Sequence, residues 1–379
     1  WLWMNAEPGT SASLYPQQLF GADPAALAFE TELFFSLRRQ RSIAWGVAGG
    51  SLLTALGASL ALAMALPLKE IRPYVVMVDR SSGESELVVS TRPKQWTKNL
   101  LIFMALFFTA NEAWSTDDLG SLLPLLGRTT LAFVIFSALS GGIYLINDVC
   151  DVEKDRLHPR KRIRPIASGE LPVPIAWTVA TLLIATGLAF AFVLEPLFGA
   201  TCLAYVATMV VYTTALKRLI LLDVFAISAG FVLRAVAGAA VLQVPISPWL
   251  YICTGLGALF IALAKRRSEL VLAGEKAGGQ REILEWYTVG LLDQLMAAVA
   301  TSAVLAYSLY TFTARNLPDN HSMMFTIPFV VYGLFRYIHL VHEKNLGENP
   351  EEIVISDAPL LSAIVLWLAT TATVLAVFR

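Results

Sequence analysis

Apolar residues gather into ten blocks along the chain, at 43–66, 99–114, 121–146, 173–193, 197–215, 220–242, 248–264, 287–312, 323–341 and 358–378. Each is long enough, or nearly so, to cross about 30 Å of hydrocarbon as a helix. The block at 99–114 is the shortest. Polar residues between the blocks alternate in character. The stretch 147–172 carries Lys154, Arg156, Arg160, Lys161, Arg162 and Arg164, and the turn after the next two blocks carries Lys217 and Arg218. Two further blocks lead to Lys265, Arg266 and Arg267, and two more to His342, Glu343 and Lys344. The intervening loops at 194–196, 243–247 and 313–322 hold few charges. Basic loops face the cytoplasm, so nine spans run from a cytoplasmic entry at Arg92 to an outside C-terminus. The fold class expected is an all-α polytopic membrane protein.

The first block does not fit this alternation. Residues 1–32 are mixed in character, poor in basic residues and without a convincing cleavable signal, and read as a poorly ordered tail. Arg38, Arg39 and Arg41 precede the Ala/Leu/Gly-rich block ending at Pro67, which places that flank in the cytoplasm too. A cytoplasmic start would leave residue 92 outside, and Ile71 to Val89 is too charged to cross back. Either that helix is inverted, or it lies in the interface, or residues 33–90 are a graft ahead of a unit at 91–379.

With 379 residues, 56% hydrophobic and 15% charged, and a mean hydropathy of +0.63, a soluble domain is excluded. The net charge of −1 favours no class of partner, and no nucleic acid is expected. Cys150, Cys202 and Cys253 fit neither a disulfide framework nor a zinc site.

Directly after the third block stands Asn147-Asp-Val-Cys-Asp-Val-Glu-Lys-Asp155. If the helix continues through it, Asp148, Asp151 and Asp155 are spaced i, i+3, i+7 and share one face. Carboxylates that close together stay ionised around a hard cation such as Mg²⁺, which completes its shell with substrate phosphates. A diphosphate is the natural guest. The alternative is a solvated acidic helix end. His158 to Gly169 then supplies cations able to neutralise a diphosphate; for Lys161 and Arg164 that role is expected, and for Arg160 and Arg162 topogenic charge serves as well. Tyr212-Thr-Thr-Ala-Leu-Lys217-Arg218 follows. Asp223 and Arg234, eleven residues apart, return to one helical face inside an apolar block, where charges line a polar pathway or form a structural network.

The motif Asn147-Asp-x-x-Asp-x-x-x-Asp155, the Tyr212-x-x-x-Leu-Lys217 element and nine spans resemble the UbiA superfamily of intramembrane prenyltransferases over residues 91–379. Aromatic prenyltransferases of that superfamily carry a second Asp-rich motif after the sixth span. Here that position reads Ala264-Lys-Arg-Arg-Ser-Glu-Leu270, without paired aspartates. One acidic cluster facing one basic cluster suits a metal-bound diphosphate together with a metal-free phosphate. Together with Arg92-Pro-Lys-Gln-Trp-Thr-Lys-Asn99 and Leu292-Asp-Gln-Leu295, this resembles the decaprenyl-phosphate phosphoribosyltransferase branch. Residues 33–90 resemble the membrane anchor of type IV secretion inner-membrane assembly factors.

The resemblance implies a nine-helix bundle preceded by one additional apolar helix, in a bacterial inner membrane, with the functional loops cytoplasmic. It implies Mg²⁺-assisted transfer of phosphoribosyl from phosphoribosyl pyrophosphate to a polyprenyl phosphate, toward a cell-envelope arabinose donor, with Mn²⁺ as the alternative ion. Asn147, Asp148, Asp151 and Asp155 would be catalytic, the three aspartates as metal ligands. Lys161, Arg164, Lys217 and Arg218 would hold donor phosphates, and Lys265, Arg266 and Arg267, or Lys94 and Lys98, the lipid phosphate, with Tyr212, Asp223 and Arg234 also lining the site. Membrane lipids surround such an enzyme, and a homo-oligomer is compatible with it. The alternatives are an aromatic prenyltransferase of the same fold and a non-enzymatic membrane scaffold.

Overall fold

The computed structural model describes residues 86–378, apart from 116–117, 158–160, 246, 274–281, 315–316 and 345–349. The expected tail at 1–32 and almost all of the anchor at 33–90 lie outside these residues, as do His158 and Arg160.

Thirteen helices are described in chain order, with no strand among the described residues. They are α1 (Glu86–Ser90), α2 (Met104–Phe108), α3 (Leu122–Cys150), α4 (Val152–Leu157), α5 (Pro165–Ser168), α6 (Val173–Leu194) and α7 (Pro196–Thr214). Then follow α8 (Leu222–Leu242), α9 (Pro248–Ala273), α10 (Val289–Thr313), α11 (Ile327–Lys344), α12 (Pro350–Ser356) and α13 (Ala358–Phe378). Eight of the long elements are apolar enough to cross a membrane. The protein is a multi-pass membrane protein.

The segment expected to span at 99–114 departs from a regular membrane helix. It winds as a 3-10 helix over Pro93–Phe103 and becomes α-helical only for α2. A 3-10 helix rises about 2 Å per residue, so even this short segment extends roughly 30 Å in total. It lies against α8, where a Cβ at Gly238 would stand 2.1 Å from the Ile102 carbonyl oxygen. Only glycine permits that approach.

Helix ends follow local chemistry. Pro196 opens α7 after the single extended residue Glu195, so α6 and α7 reverse in one residue. α8 is shared by two apolar cores. Its later turns, Ala237 to Leu242, join residues of the entry segment, α3 and α7, whereas Val224 joins Phe260 and Leu263 of α9, Met296 of α10 and Leu340 of α11. The start of α8 therefore belongs to the second core, and its end to the first.

Candidate functional site

α3 stops at Cys150, Asp151 takes φ −103° and ψ 6°, and α4 restarts at Val152. This break decides where the carboxylates point. Asp148 Oδ1 and Asp155 Oδ2 converge on one atom, Arg164 Nη1, at 3.1 and 2.6 Å. Arg92 also pairs with Asp148, and its guanidinium lies 5.1 Å from the Tyr144 ring centroid. Asp151 faces elsewhere, with its Oδ1 2.6 Å from Lys217 Nζ. Two carboxylates share a spot, then, and not the three expected from an unbroken helix.

Arg164 is placed by its own sequence. It precedes Pro165 at the start of α5, which ends on Gly169 at φ 89°, while Arg156 Nε donates to the Ala167 carbonyl at 3.2 Å. The short helix is pinned beneath α4, and Arg164 is aimed back at the aspartates. Lys161 lies in the 3-10 turn Lys161–Ile163 just before it.

Among the described residues no three acidic, imidazole or thiol side chains gather into a complete metal-ligand set. Mg²⁺ asks for less, since it is commonly held by one or two carboxylates with phosphate and water completing six positions. Asp148 and Asp155 fit that demand, because hard oxygens from both already converge on one positively charged atom.

The Tyr212–Arg218 element closes the site from the other side. Thr213 Oγ1 lies 3.5 Å from Asn147 Oδ1, and the 3-10 turn Leu216–Arg218 lays Lys217 on Asp151, leaving Arg218 exposed. Five residues on, Asp223 is fully buried. Its Oδ2 accepts from Arg266 Nε at 2.6 Å and its Oδ1 from the Tyr287 hydroxyl at 2.9 Å; that hydroxyl accepts from the backbone N–H of Leu221 at 2.8 Å. Burial pushes the Tyr287 phenol above its ordinary range, and the neighbouring Asp223 carboxylate adds to this. The phenol thus stays a proton donor. Tyr212 lies within electrostatic reach of Arg266, which links the two halves of the site.

The basic triplet after the sixth span behaves unlike an open loop. α9 continues to Ala273, well beyond the expected end at 264, so Lys265, Arg266 and Arg267 are helical and point in three directions. Arg266 is 1% exposed and also contacts Glu269 at 2.5 Å. Arg267 pairs with Asp293 at 2.5 Å, and His342 Nε2 lies 3.1 Å from the same carboxylate oxygen. Lys265 is half-buried on the same turn.

Lys94 is exposed and Lys98 half-buried on the entry 3-10 helix. Arg234 is far from Asp223, since eleven helical residues span about 16 Å. It donates instead to Asn99 Oδ1 at 2.8 Å, to the Gly230 carbonyl at 2.8 Å and to the Tyr205 hydroxyl at 3.1 Å. Asn99 in turn donates to Ser137 and Ser140 of α3, which ties the entry segment to the helix carrying Asp148. Tyr287 joins the site without having been singled out, and Arg92 and Asp293, read only as part of the motifs at 92–99 and 292–295, gain contacts of their own. Arg92 opens a basic motif and could have been found there, but Tyr287 and Asp223 are 64 positions apart and no spacing announces them.

Comparison with known proteins follows the same lines. Residues 100–353 match the UbiA prenyltransferase family. The chain belongs to this family. Residues 25–108 match the VirB8 protein family, in agreement with the resemblance of the anchor region. A decaprenyl-phosphate phosphoribosyltransferase of Mycobacterium tuberculosis is 34% identical over 290 residues, 76% of this chain and 94% of that protein. Its counterpart in Mycolicibacterium smegmatis is 33% identical, covering 76% of this chain and 91% of its own length. Among solved structures, a UbiA homolog from Archaeoglobus fulgidus bound to GPP and Mg²⁺ superposes with a TM-score of 0.59 at 19% identity, covering 77% of this chain and all of that one. At that identity the likeness speaks for the UbiA fold alone.

Proposed function

We propose that this UbiA-family protein transfers 5-phosphoribosyl from phosphoribosyl pyrophosphate to a polyprenyl phosphate, decaprenyl phosphate by analogy with its relatives, and releases pyrophosphate. The observation that carries this reading is the carboxylate pair Asp148 and Asp155, converging on Arg164 with Arg92 and Lys217 beside it. That charge pattern suits a diphosphate whose negative charge grows as it leaves. The near full-length relatives named for this reaction support the same assignment.

Mg²⁺, or Mn²⁺ in its place, would be held by Asp148 and Asp155 and supplies Lewis-acid stabilisation of the departing diphosphate. Arg164 binds donor phosphate oxygens once Asp148 and Asp155 are otherwise engaged, and Lys217 does so while paired with Asp151, with Lys161 and Arg218 beside them. Asp151 holds Lys217 in register, and Asn147, 3.5 Å from Thr213, keeps the end of α3 against α7. Arg266 and Arg267 spend their charge on Asp223, Glu269 and Asp293, so the lipid phosphate falls to the entry segment with Lys94 and Lys98. An acceptor phosphate is already an anion at neutral pH, so placement and not deprotonation is what these lysines provide. The site end of the bundle faces the cytoplasm of a bacterial inner membrane, as the basic loops there require.

The test is to supply the purified chain with ribose-labelled phosphoribosyl pyrophosphate, Mg²⁺ and a polyprenyl phosphate. Label should enter the organic-soluble fraction. Efficient turnover instead of a prenyl diphosphate with an aromatic acceptor would replace this reading.

A further inference from the structure

Among the described residues two arginines each bridge two carboxylates, and their settings differ. Arg164 spans Asp148 and Asp155 from a short loop-borne helix, with 27% of its side chain exposed. Arg266 spans Asp223 and Glu269 from the middle of α9, with 1% exposed, and Asp223 is wholly enclosed. Val224, next to Asp223, and Leu263, one turn before Arg266, belong to one apolar cluster, and Tyr287 caps the free oxygen of Asp223.

The consequence is a difference in what can be displaced. A divalent ion arriving at Asp148 and Asp155 needs Arg164 only to swing toward solvent or a phosphate. At Asp223 and Glu269 the same ion would have to expel a guanidinium into an apolar core, stranding a buried charge without a partner, which is among the costliest changes a protein interior undergoes. Divalent ions also prefer positions with room for water or phosphate ligands, and at the wholly enclosed Asp223 both oxygens are already taken, by Arg266 and by Tyr287.

We propose that Arg266 is a built-in cation that takes the place of a second metal ion, so that the protein binds one divalent ion per chain, at Asp148 and Asp155, and none at Asp223 and Glu269. This rests on the one-metal reading of the site given above. The diphosphate wall of the site is then metal-dependent, and the facing wall is fixed by protein charge. Arg266 is in this sense a specificity-determining residue, since it settles which phosphate meets a metal.

The experiment counts bound Mn²⁺ on the full-length protein in detergent, by electron paramagnetic resonance of the free ion during titration. One ion per chain is expected for the wild type, lost in Asp148→Asn and retained in Glu269→Gln. Arg266→Met should gain one further ion, and adding Asp223→Asn should remove it. Arg266→Lys, which keeps a cation, should stay at the wild-type count. No gain in a cooperatively melting Arg266→Met protein would overturn the proposal, as would loss of a wild-type ion in Glu269→Gln. The Glu269→Gln count decides the matter even where Arg266→Met does not fold. A wild-type count of zero would contradict the metal reading at Asp148 and Asp155, whereas the gain in Arg266→Met is read independently of it.

Discussion

Lys217 Nζ and Asp151 Oδ1 stand 2.6 Å apart across 66 positions of sequence, and this ion pair joins the two motifs of the site. It holds the turn after α7 against the break after α3. If the pair were structural only, exchanging the charges would preserve it. The double variant Asp151→Lys, Lys217→Asp is expected to fold yet stay inactive, because a reversed field repels a donor phosphate. Activity returning toward wild type in that variant, measured as label transferred to lipid, would reduce the pair to a brace.

Asp148→Asn and Asp155→Asn should each lower turnover by two or more orders of magnitude while the protein remains folded, since each removes a hard oxygen from the convergence point and leaves the apolar core intact. Chelator should abolish wild-type activity, and Mn²⁺ should restore it. The readout is initial rate against metal concentration, with elution from gel filtration as the control for folding.

The spacing of Asp148 and Asp155 was legible because it is a local helical property, and the apolar blocks were legible because each spans a membrane by itself. Asp151 stays close enough for its charge to act on Asp148 but pairs with Lys217 instead of Arg164, a partner 66 positions away that no periodicity records. The basic triplet looked open because the apolar block ends at Ala264. α9 nonetheless continues through Arg266 and Arg267, whose carboxylate partners, the buried Asp223 and the half-buried Asp293, are drawn from α8 and α10. Such partners 26 to 43 positions away cannot be read from composition. The entry segment hid its 3-10 winding for a similar reason, because Gly238 on a distant helix sets how closely it packs.

Gly238→Ala should therefore be costly for one methyl group. The added carbon meets the backbone of Ile102 and not a movable side chain, so the entry segment must shift. Overpacking of this kind costs about 1–3 kcal/mol. A lower melting temperature in detergent is expected, with a rise in acceptor KM as Lys94 and Lys98 move with the segment. Unchanged melting and unchanged KM would show that the segment packs more loosely than its geometry indicates.

Removal of residues 1–85 should leave transfer intact, because each residue assigned to the site lies at Arg92 or beyond. Extending the deletion through Arg92 should abolish transfer, since it removes one of the two arginine partners of Asp148. Rates for the two truncations, normalised to correctly inserted protein, separate the cases. Loss in the shorter truncation would place part of the machinery in the VirB8-like region.

The most direct measurement is the mass of the lipid product together with the pyrophosphate released, after purified protein is incubated with phosphoribosyl pyrophosphate, Mg²⁺ and decaprenyl phosphate. A lipid carrying one added phosphoribosyl group, formed in equal amount to pyrophosphate and absent with Asp148→Asn, is the expected result. A lipid of unchanged mass from active, folded protein, or a product made only from a prenyl diphosphate and an aromatic acceptor, would contradict it.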